Sequence, residues 1–402
     1  MRCGLLGEHL AHSYSPQIHQ MLGSYTYELF EVSPKALDAF LRGGAFDALN
    51  VTIPYKRAVL AYCAALSDRA KRIGSVNTLL RRSDGSLYGE NTDYDGFAYL
   101  LAKNGGIAAG EKAIVLGDGG SSRTVQTLLE DLGARVVVLS RKGENGFAAI
   151  SQHKDASLVV NTTPVGMFPN NGERLIDPLP QCRLVLDLIY NPARTQLLLD
   201  AEAHGIACEG GLPMLVAQAK RAAELFTQQS IPDRKIEEIL QILSRQMENI
   251  VLIGMPGCGK STVGAALAKL LGRTFIDADD VLAEKAACSI PEFFARNGEE
   301  AFRALETQVL KELGKRSSCV IATGGGCVTR EENFAHLHQN SRIVWLQRDI
   351  AALPTQGRPL SQANSLQALF ASRKAAYARF ADIQVVNQGS AEETAVAIMD
   401  IM

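Results

Sequence analysis

Apolar runs of strand length alternate with helical patterns along almost the whole chain, which predicts an α/β fold with parallel sheets. Two of the strands run straight into glycine-rich turns that open helices. KAIVLGDGGSSRTVQTLLEDLG (112–133) reads as strand, turn and helix, and NIVLIGMPGCGKSTVGAALAKLLG (249–272) repeats the plan with a different turn. Such turns suit phosphates, because glycine lets the backbone approach closely and a helix N-terminus favours anions. Two of them, about 140 residues apart, predict two nucleotide sites. The amphipathic segment PDRKIEEILQILSRQM (232–247) leads directly into the second of these strands. No Gly/Ser or Pro-rich linker intervenes, which puts the seam between the halves near 244–254.

Composition narrows the classes. The 402 residues are 47% hydrophobic and 21% charged with a net charge of −2, values that fit a globular protein of two or three folding units. No basic excess exists to neutralise phosphates, so neither nucleic acid nor a membrane surface is an expected partner. The eight cysteines include no C-x-x-C pair and are expected as reduced, mostly buried thiols. The start, MRCGLLGEHLAHS, lacks the long apolar stretch of a signal peptide. No run reaches the ~18 apolar residues of a membrane span. A cytoplasmic location is expected.

In the first turn, Gly117, Gly119 and Gly120 follow the strand 113–116. The next strand, RVVVL, ends in Ser140-Arg141-Lys142, where an NAD site would place Asp or Glu on the ribose 2′-hydroxyl. Two cations suit a 2′-phosphate instead, and NADP(H) is the expected cofactor. Only 16 residues, 141–156, separate Ser140 from the strand SLVVN, room for one short helix. Upstream, HSYSPQIH (12–19) offers the hydroxyls of Ser13 and Ser15 ahead of a helix. NVTIPYK (50–56) places Thr52 and Lys56 after a strand end, while GSVNT (74–78) and GENTDYDG (89–96) add Asn77 and Asp93.

With NTTPVGM (161–167), DLIYNPARTQLL (187–198) and GGLPMLVAQA (210–219), these segments resemble shikimate dehydrogenase over most of residues 1–246. The resemblance implies an α/β substrate domain at 1–95, completed by helices at about 220–246, and a Rossmann NADP domain at 96–219. It implies that Ser13 and Ser15 bind the substrate carboxylate. Thr52, Asn77 and Gln218 would hold the ring hydroxyls with Tyr190 near them, and Lys56 and Asp93 would be the catalytic pair. A lysine beside a carboxylate is a suitable proton donor to a keto group that is receiving hydride.

The second turn fits G-x-x-x-x-G-K-[ST] from Gly254 to Ser261, through Gly257, Gly259 and Lys260, with Thr262 next. Its backbone amides cradle phosphates, Lys260 reaches the β and γ oxygens, and Ser261 ligates Mg²⁺. This motif specifies MgATP-type chemistry and leaves the acceptor open. FIDADD (275–280), GEEAFRALE (298–306), ATGGGCV (322–328), GRPL (357–360) and SRKAAY (372–377) extend it into a resemblance to shikimate kinase from residue 248 to about 390. That resemblance implies a P-loop kinase domain with a parallel sheet at 248–402. Asp279 would bind the substrate hydroxyls and take the proton, with Arg303 and Arg373 clamping the carboxylate. Gly325 would add backbone hydrogen bonds, Asp277 would support Mg²⁺ through water, and Arg358 would be the lid arginine. The segment 349–362 is short and carries no second basic residue upstream of Arg358.

Together the halves lead to the expectation of a bifunctional enzyme. One half would reduce 3-dehydroshikimate to shikimate with NADPH, and the other would phosphorylate shikimate to shikimate 3-phosphate with MgATP. Two rivals stand beside it: an NAD-dependent quinate/shikimate dehydrogenase half, and a silent sensor or scaffold in place of one half.

Overall fold

A computed structural model describes residues 1–10, 13–141, 146–177, 179, 181–353 and 366–402. Lys142 and Arg358, both expected at sites, lie outside the described residues. The chain divides into two compact units, residues 1–190 with 197–242, and residues 191–196 with 243–402.

The first unit holds two sheets. Strands β1 (Arg2–Gly7), β2 (Thr26–Glu31), β3 (Ala48–Val51), β4 (Cys63–Leu66), β5 (Thr78–Arg81) and β6 (Leu87–Glu90) form a sheet in the order β2-β1-β3-β5-β6-β4. This sheet is mixed rather than parallel throughout, because β5 runs antiparallel to both β3 and β6. For β5 and β6 the cause is local: Arg82–Ser86 is too short for a parallel crossover, and Gly85, at φ +82°, closes a hairpin. The second sheet is wholly parallel. Its strands β7 (Lys112–Leu116), β8 (Arg135–Leu139), β9 (Leu158–Asn161), β10 (Leu184–Asp187) and β11 (Ala207–Glu209) lie in the order β11-β10-β9-β7-β8. Between β8 and β9 the described chain holds one short 3₁₀ turn, Phe147–Gln152.

In the second unit, β12 (Asn249–Ile253), β13 (Thr274–Asp277), β14 (Cys319–Ala322), β15 (Ser341–Gln347) and β16 (Ile383–Val386) form a parallel sheet ordered β13-β14-β12-β15-β16. Its central strand β12 is buried at every position, as a strand covered on both faces must be. The eight cysteines are free thiols, five of them buried. Among the described residues no helix is long and apolar enough to cross a membrane.

Helix Ser15–Leu22 starts with Pro16 in its first turn, where no amide donor is missed, and buries Ser15, Ile18, His19 and Leu22. His19 is fully buried. Its ring stacks 3.9 Å from that of Tyr27 and 5.7 Å from Phe226, and its Nδ1 pairs with the Tyr25 hydroxyl at 2.6 Å. Burial among these rings pushes its pKa down from 6.5 to about 3. The unfolded chain therefore takes up a proton below pH 6.5 that the folded chain refuses until about pH 3, and stability falls as pH drops through that window. At about pH 5 the loss from this group is about 2 kcal/mol. In urea unfolding compared between neutral pH and pH 5, His19→Gln should lose less stability than the native chain by roughly that amount. Equal losses would contradict the assignment.

Candidate active sites

The chain past β3 supplies the first cluster. Thr52 donates its amide to Leu6 O at 2.9 Å, which fixes the exit from the sheet, and Lys56 follows on the next turn with its carbonyl accepting from Val76 N at 2.8 Å. Asp93 is the first residue of helix Asp93–Lys103, where the helix dipole favours a carboxylate. Lys56 Nζ donates to Asp93 Oδ2 at 2.6 Å, with side-chain exposures of 21% and 10%. The other oxygen, Oδ1, accepts from Asn77 Nδ2 at 2.9 Å. Asn77 is itself held: its Oδ1 accepts from Thr92 N at 2.7 Å and from the Thr78 hydroxyl at 3.0 Å. Both carboxylate oxygens thus have donors, and the carboxylate is fixed in rotation as well as position.

Gln218 reaches this group through helix packing. Helices Asp93–Lys103 and Leu212–Thr227 cross at Gly96, where a Cβ would lie 2.7 Å from Met214 O and 2.9 Å from Gln218 Cβ. Only glycine permits that approach, which leaves Thr92 Oγ1 3.5 Å from Gln218 Oε1. Ser15 is buried, and its amide bonds to Ser13 Oγ at 3.2 Å. Tyr190 packs edge-on against Tyr14 with centroids 6.3 Å apart, and burial raises the pKa of both hydroxyls. Among the described contacts, none ties Ser13, Thr52 or Tyr190 directly to Lys56 or Asp93.

The glycine turn after β7 sits at the carboxyl edge of the second sheet. Leu116 lies opposite Leu139 and Asn161, so Gly117, Ser140 and Thr162 all emerge at one level. Gly117 has φ +109°, and a Cβ there would meet Thr162 Oγ1 at 2.8 Å, so a side chain is excluded twice over. A Cβ at Gly119 or Gly120 would meet nothing within 4 Å, which leaves the N-terminus of helix Gly120–Asp131 open to a ligand. Ser140 is buried, whereas Arg141 and Asp118 are exposed. Arg141 forms no ion pair among the described residues.

In the second unit one cavity of about 770 Å³ collects residues from the ends of four strands. It is lined by Gly257, Gly259, Lys260, Ser261 and Thr262 of the turn after β12, and by Asp279 beyond β13. The glycine triplet Gly324–Gly326 after β14, together with Arg303 and Arg373, adds to the wall. Gly254, at φ +145°, abuts Leu346 O, only 2.3 Å from where a Cβ would stand, which presses the turn onto the end of β15. Lys260 is buried and donates to Gly254 O at 3.0 Å and Met255 O at 3.1 Å. Ser261 Oγ bonds Asp277 Oδ2 at 2.5 Å, while Asp277 Oδ1 caps the next helix by accepting from Asp279 N at 3.0 Å.

Desolvation, and then the neighbouring Asp277 carboxylate, push the Asp279 pKa up to about 6. Arg303 pairs with Glu306 at 2.6 Å in full burial, and a Cβ at Gly326 would lie 2.2 Å from its guanidinium. Arg373 and the Tyr377 hydroxyl both donate to Gly325 O, at 3.0 Å and 2.5 Å. The carbonyl of Gly325 is therefore doubly occupied.

Three contributors escaped the sequence reading. Thr78 and Thr92 join Asn77 through hydroxyls 3.1 Å apart, and nothing but their place in polar motifs marked them. Arg348 lines the cavity from the end of β15, and its only signal was a cation directly after a buried strand.

Comparison with known proteins matches both halves. The family model described as shikimate dehydrogenase substrate binding domain matches residues 5–79, and the shikimate kinase model matches residues 256–402. A shikimate dehydrogenase (NADP(+)) from Clostridium beijerinckii is 34% identical over 268 residues, which cover 61% of this chain and 98% of that protein. The crystal structure of a chorismate mutase/shikimate 5-dehydrogenase fusion protein from Clostridium acetobutylicum is 35% identical with a TM-score of 0.57, over 60% of this chain and 96% of that one. The Thermus thermophilus shikimate 5-dehydrogenase in complex with NADP(H) and shikimate is 33% identical with a TM-score of 0.54, over 60% and 99% of the two chains. Over its N-terminal part, then, the chain belongs to the shikimate dehydrogenase family, and residues 256–402 form a shikimate kinase family domain.

Proposed function

We propose that the chain catalyses two consecutive steps on one carbon skeleton: reduction of 3-dehydroshikimate to shikimate with NADPH, then phosphorylation of the shikimate 3-hydroxyl with MgATP. The reading assigns the substrate domain to 1–95 with the helices that follow about residue 220, the NADP domain to 96–219 and the kinase to 248–402. The observation that carries the first step is the Lys56–Asp93 pair, fixed at 2.6 Å with Asn77 on its far oxygen. Lys56 donates a proton to the substrate's keto oxygen as hydride reaches the carbon, and Asp93 keeps the ammonium aimed. Ser13 and Ser15 bind the carboxylate, while Thr52, Asn77, Tyr190 and Gln218 orient the hydroxyls. NADPH supplies the hydride. The open N-terminus at Gly119 and Gly120 suits its pyrophosphate, and the exposed cation Arg141 just past β8 suits the 2′-phosphate.

For the second step the support is the cavity that unites the phosphate turn with Asp279, Arg303, Gly325 and Arg373. Lys260 leaves its loop carbonyls for the β and γ oxygens when nucleotide binds. Ser261 and Asp277, a hydroxyl and a carboxylate 2.5 Å apart, form an oxygen donor set suited to Mg²⁺, which would supply positive charge to the phosphates. Asp279 accepts the proton of the attacking hydroxyl, and its raised pKa near 6 makes it a stronger base than an exposed carboxylate. Arg303 and Arg373 hold the acceptor carboxylate. Arg358 is proposed as the lid arginine from its motif alone.

Variants separate the two steps. Lys56→Met should lower reduction of 3-dehydroshikimate about 10²–10⁴-fold and leave shikimate phosphorylation near native. Lys260→Met should do the reverse. Loss of both activities in either variant would overturn the division of labour. For the cofactor, Arg141→Asp should erode the preference for NADPH over NADH, measured as the ratio of kcat/KM values. An unchanged ratio would overturn the NADP assignment.

A further inference from the structure

Among the described residues four cations line the cavity of the second unit: Lys260, Arg303, Arg348 and Arg373. Three are already engaged by the protein. Lys260 donates to two carbonyls of its own loop, Arg303 is paired with Glu306 at 2.6 Å and Glu299 at 3.6 Å, and Arg373 donates to Gly325 O at 3.0 Å. Arg348 is exposed at the cavity and forms no hydrogen bond or ion pair among the described residues. Its place is set by the sheet. β15 runs parallel to β12 with Trp345 opposite Ile253, so Arg348, directly after β15, leaves the sheet at the same edge as the phosphate turn. Gly254 abuts Leu346 O, which presses the start of that turn against the strand end bearing Arg348. Arg303 and Arg373, in contrast, are tied to the glycine triplet after β14.

We propose that Arg348 is a nucleotide-binding residue, whose guanidinium pairs with the polyphosphate of the bound nucleotide and not with the carboxylate of the acceptor. This rests on the kinase reading above. A guanidinium offers several donors in a planar fork, and a polyphosphate offers adjacent anionic oxygens at matching spacing. A cation beside the phosphate turn that has no partner among the described residues has none of those bonds to surrender when the nucleotide arrives. It therefore contributes more to affinity than a cation that must first break a protein contact. Arg303 and Arg373, already braced, hold a fixed geometry instead.

The test uses the full chain with Arg348→Gln and Arg348→Lys. Binding of MgADP by calorimetry needs no acceptor. The dissociation constant should rise about tenfold in Arg348→Gln, the effect of losing one charge-assisted contact, and recover in part in Arg348→Lys. In steady state the KM for ATP should rise similarly, and the KM for shikimate should stay within about twofold. An unchanged MgADP affinity, or a rise confined to the KM for shikimate, would overturn the proposal. If the native chain binds MgADP but does not phosphorylate shikimate, the acceptor reading fails, while the binding comparison still decides the role of Arg348.

Discussion

The register of parallel strands is the constraint from which the cavity of the second unit and the glycine turn after β7 follow. In a parallel sheet every strand ends at the same edge, so residues far apart in sequence emerge side by side. Leu252, Asp277, Ala322 and Val344 are brought level in this way across 92 positions of sequence, and the cavity forms where the chain leaves those strands. The same rule lines up Gly117, Ser140 and Thr162 past the edge of the second sheet. A register slip of one residue would turn each of these groups to the opposite face, and the buried apolar strands forbid it.

Charge is handled differently at the two places. Around Lys56 the carboxylate of Asp93 is saturated, one oxygen by an ammonium and the other by an amide, with Asn77 in turn held by Thr78 and Thr92. Such a network fixes geometry before substrate arrives and leaves little to reorganise. In the second unit the charges are crowded and only partly matched. Asp277, Asp279 and Glu306 stand near one another, and the half-buried Asp279 responds with a raised pKa. On the proposed reading Mg²⁺ would bring positive charge to these carboxylates.

Much of this was legible from the chain. Glycine turns announce themselves because positive φ angles and close approaches admit no other residue, as Gly117 and Gly254 show. Lys56, Asn77 and Asp93 could be picked from short polar motifs, and Arg303 with Glu306 from their spacing of three on one helix. The antiparallel pairing of β5 was not read, because the apolar runs of β3, β5 and β6 carry no mark of direction. The hairpin at Gly85 was its one local clue. Thr78, Thr92 and Arg348 were missed for a related reason: each is an ordinary residue whose meaning comes from partners brought by tertiary packing. The close crossing at Gly96, which sets Gln218 beside Thr92, likewise joins positions about 120 apart in sequence.

The central claim is that one polypeptide reduces a ketone and then phosphorylates the resulting alcohol-bearing product. The most direct measurement supplies the purified chain with 3-dehydroshikimate, NADPH and MgATP, omits each cofactor in turn, and identifies products by mass. Shikimate without ATP, shikimate 3-phosphate with it, and much slower turnover with NADH in place of NADPH are the predicted results. Accumulation of shikimate despite MgATP, or untouched NADPH while added shikimate is phosphorylated, would contradict the account.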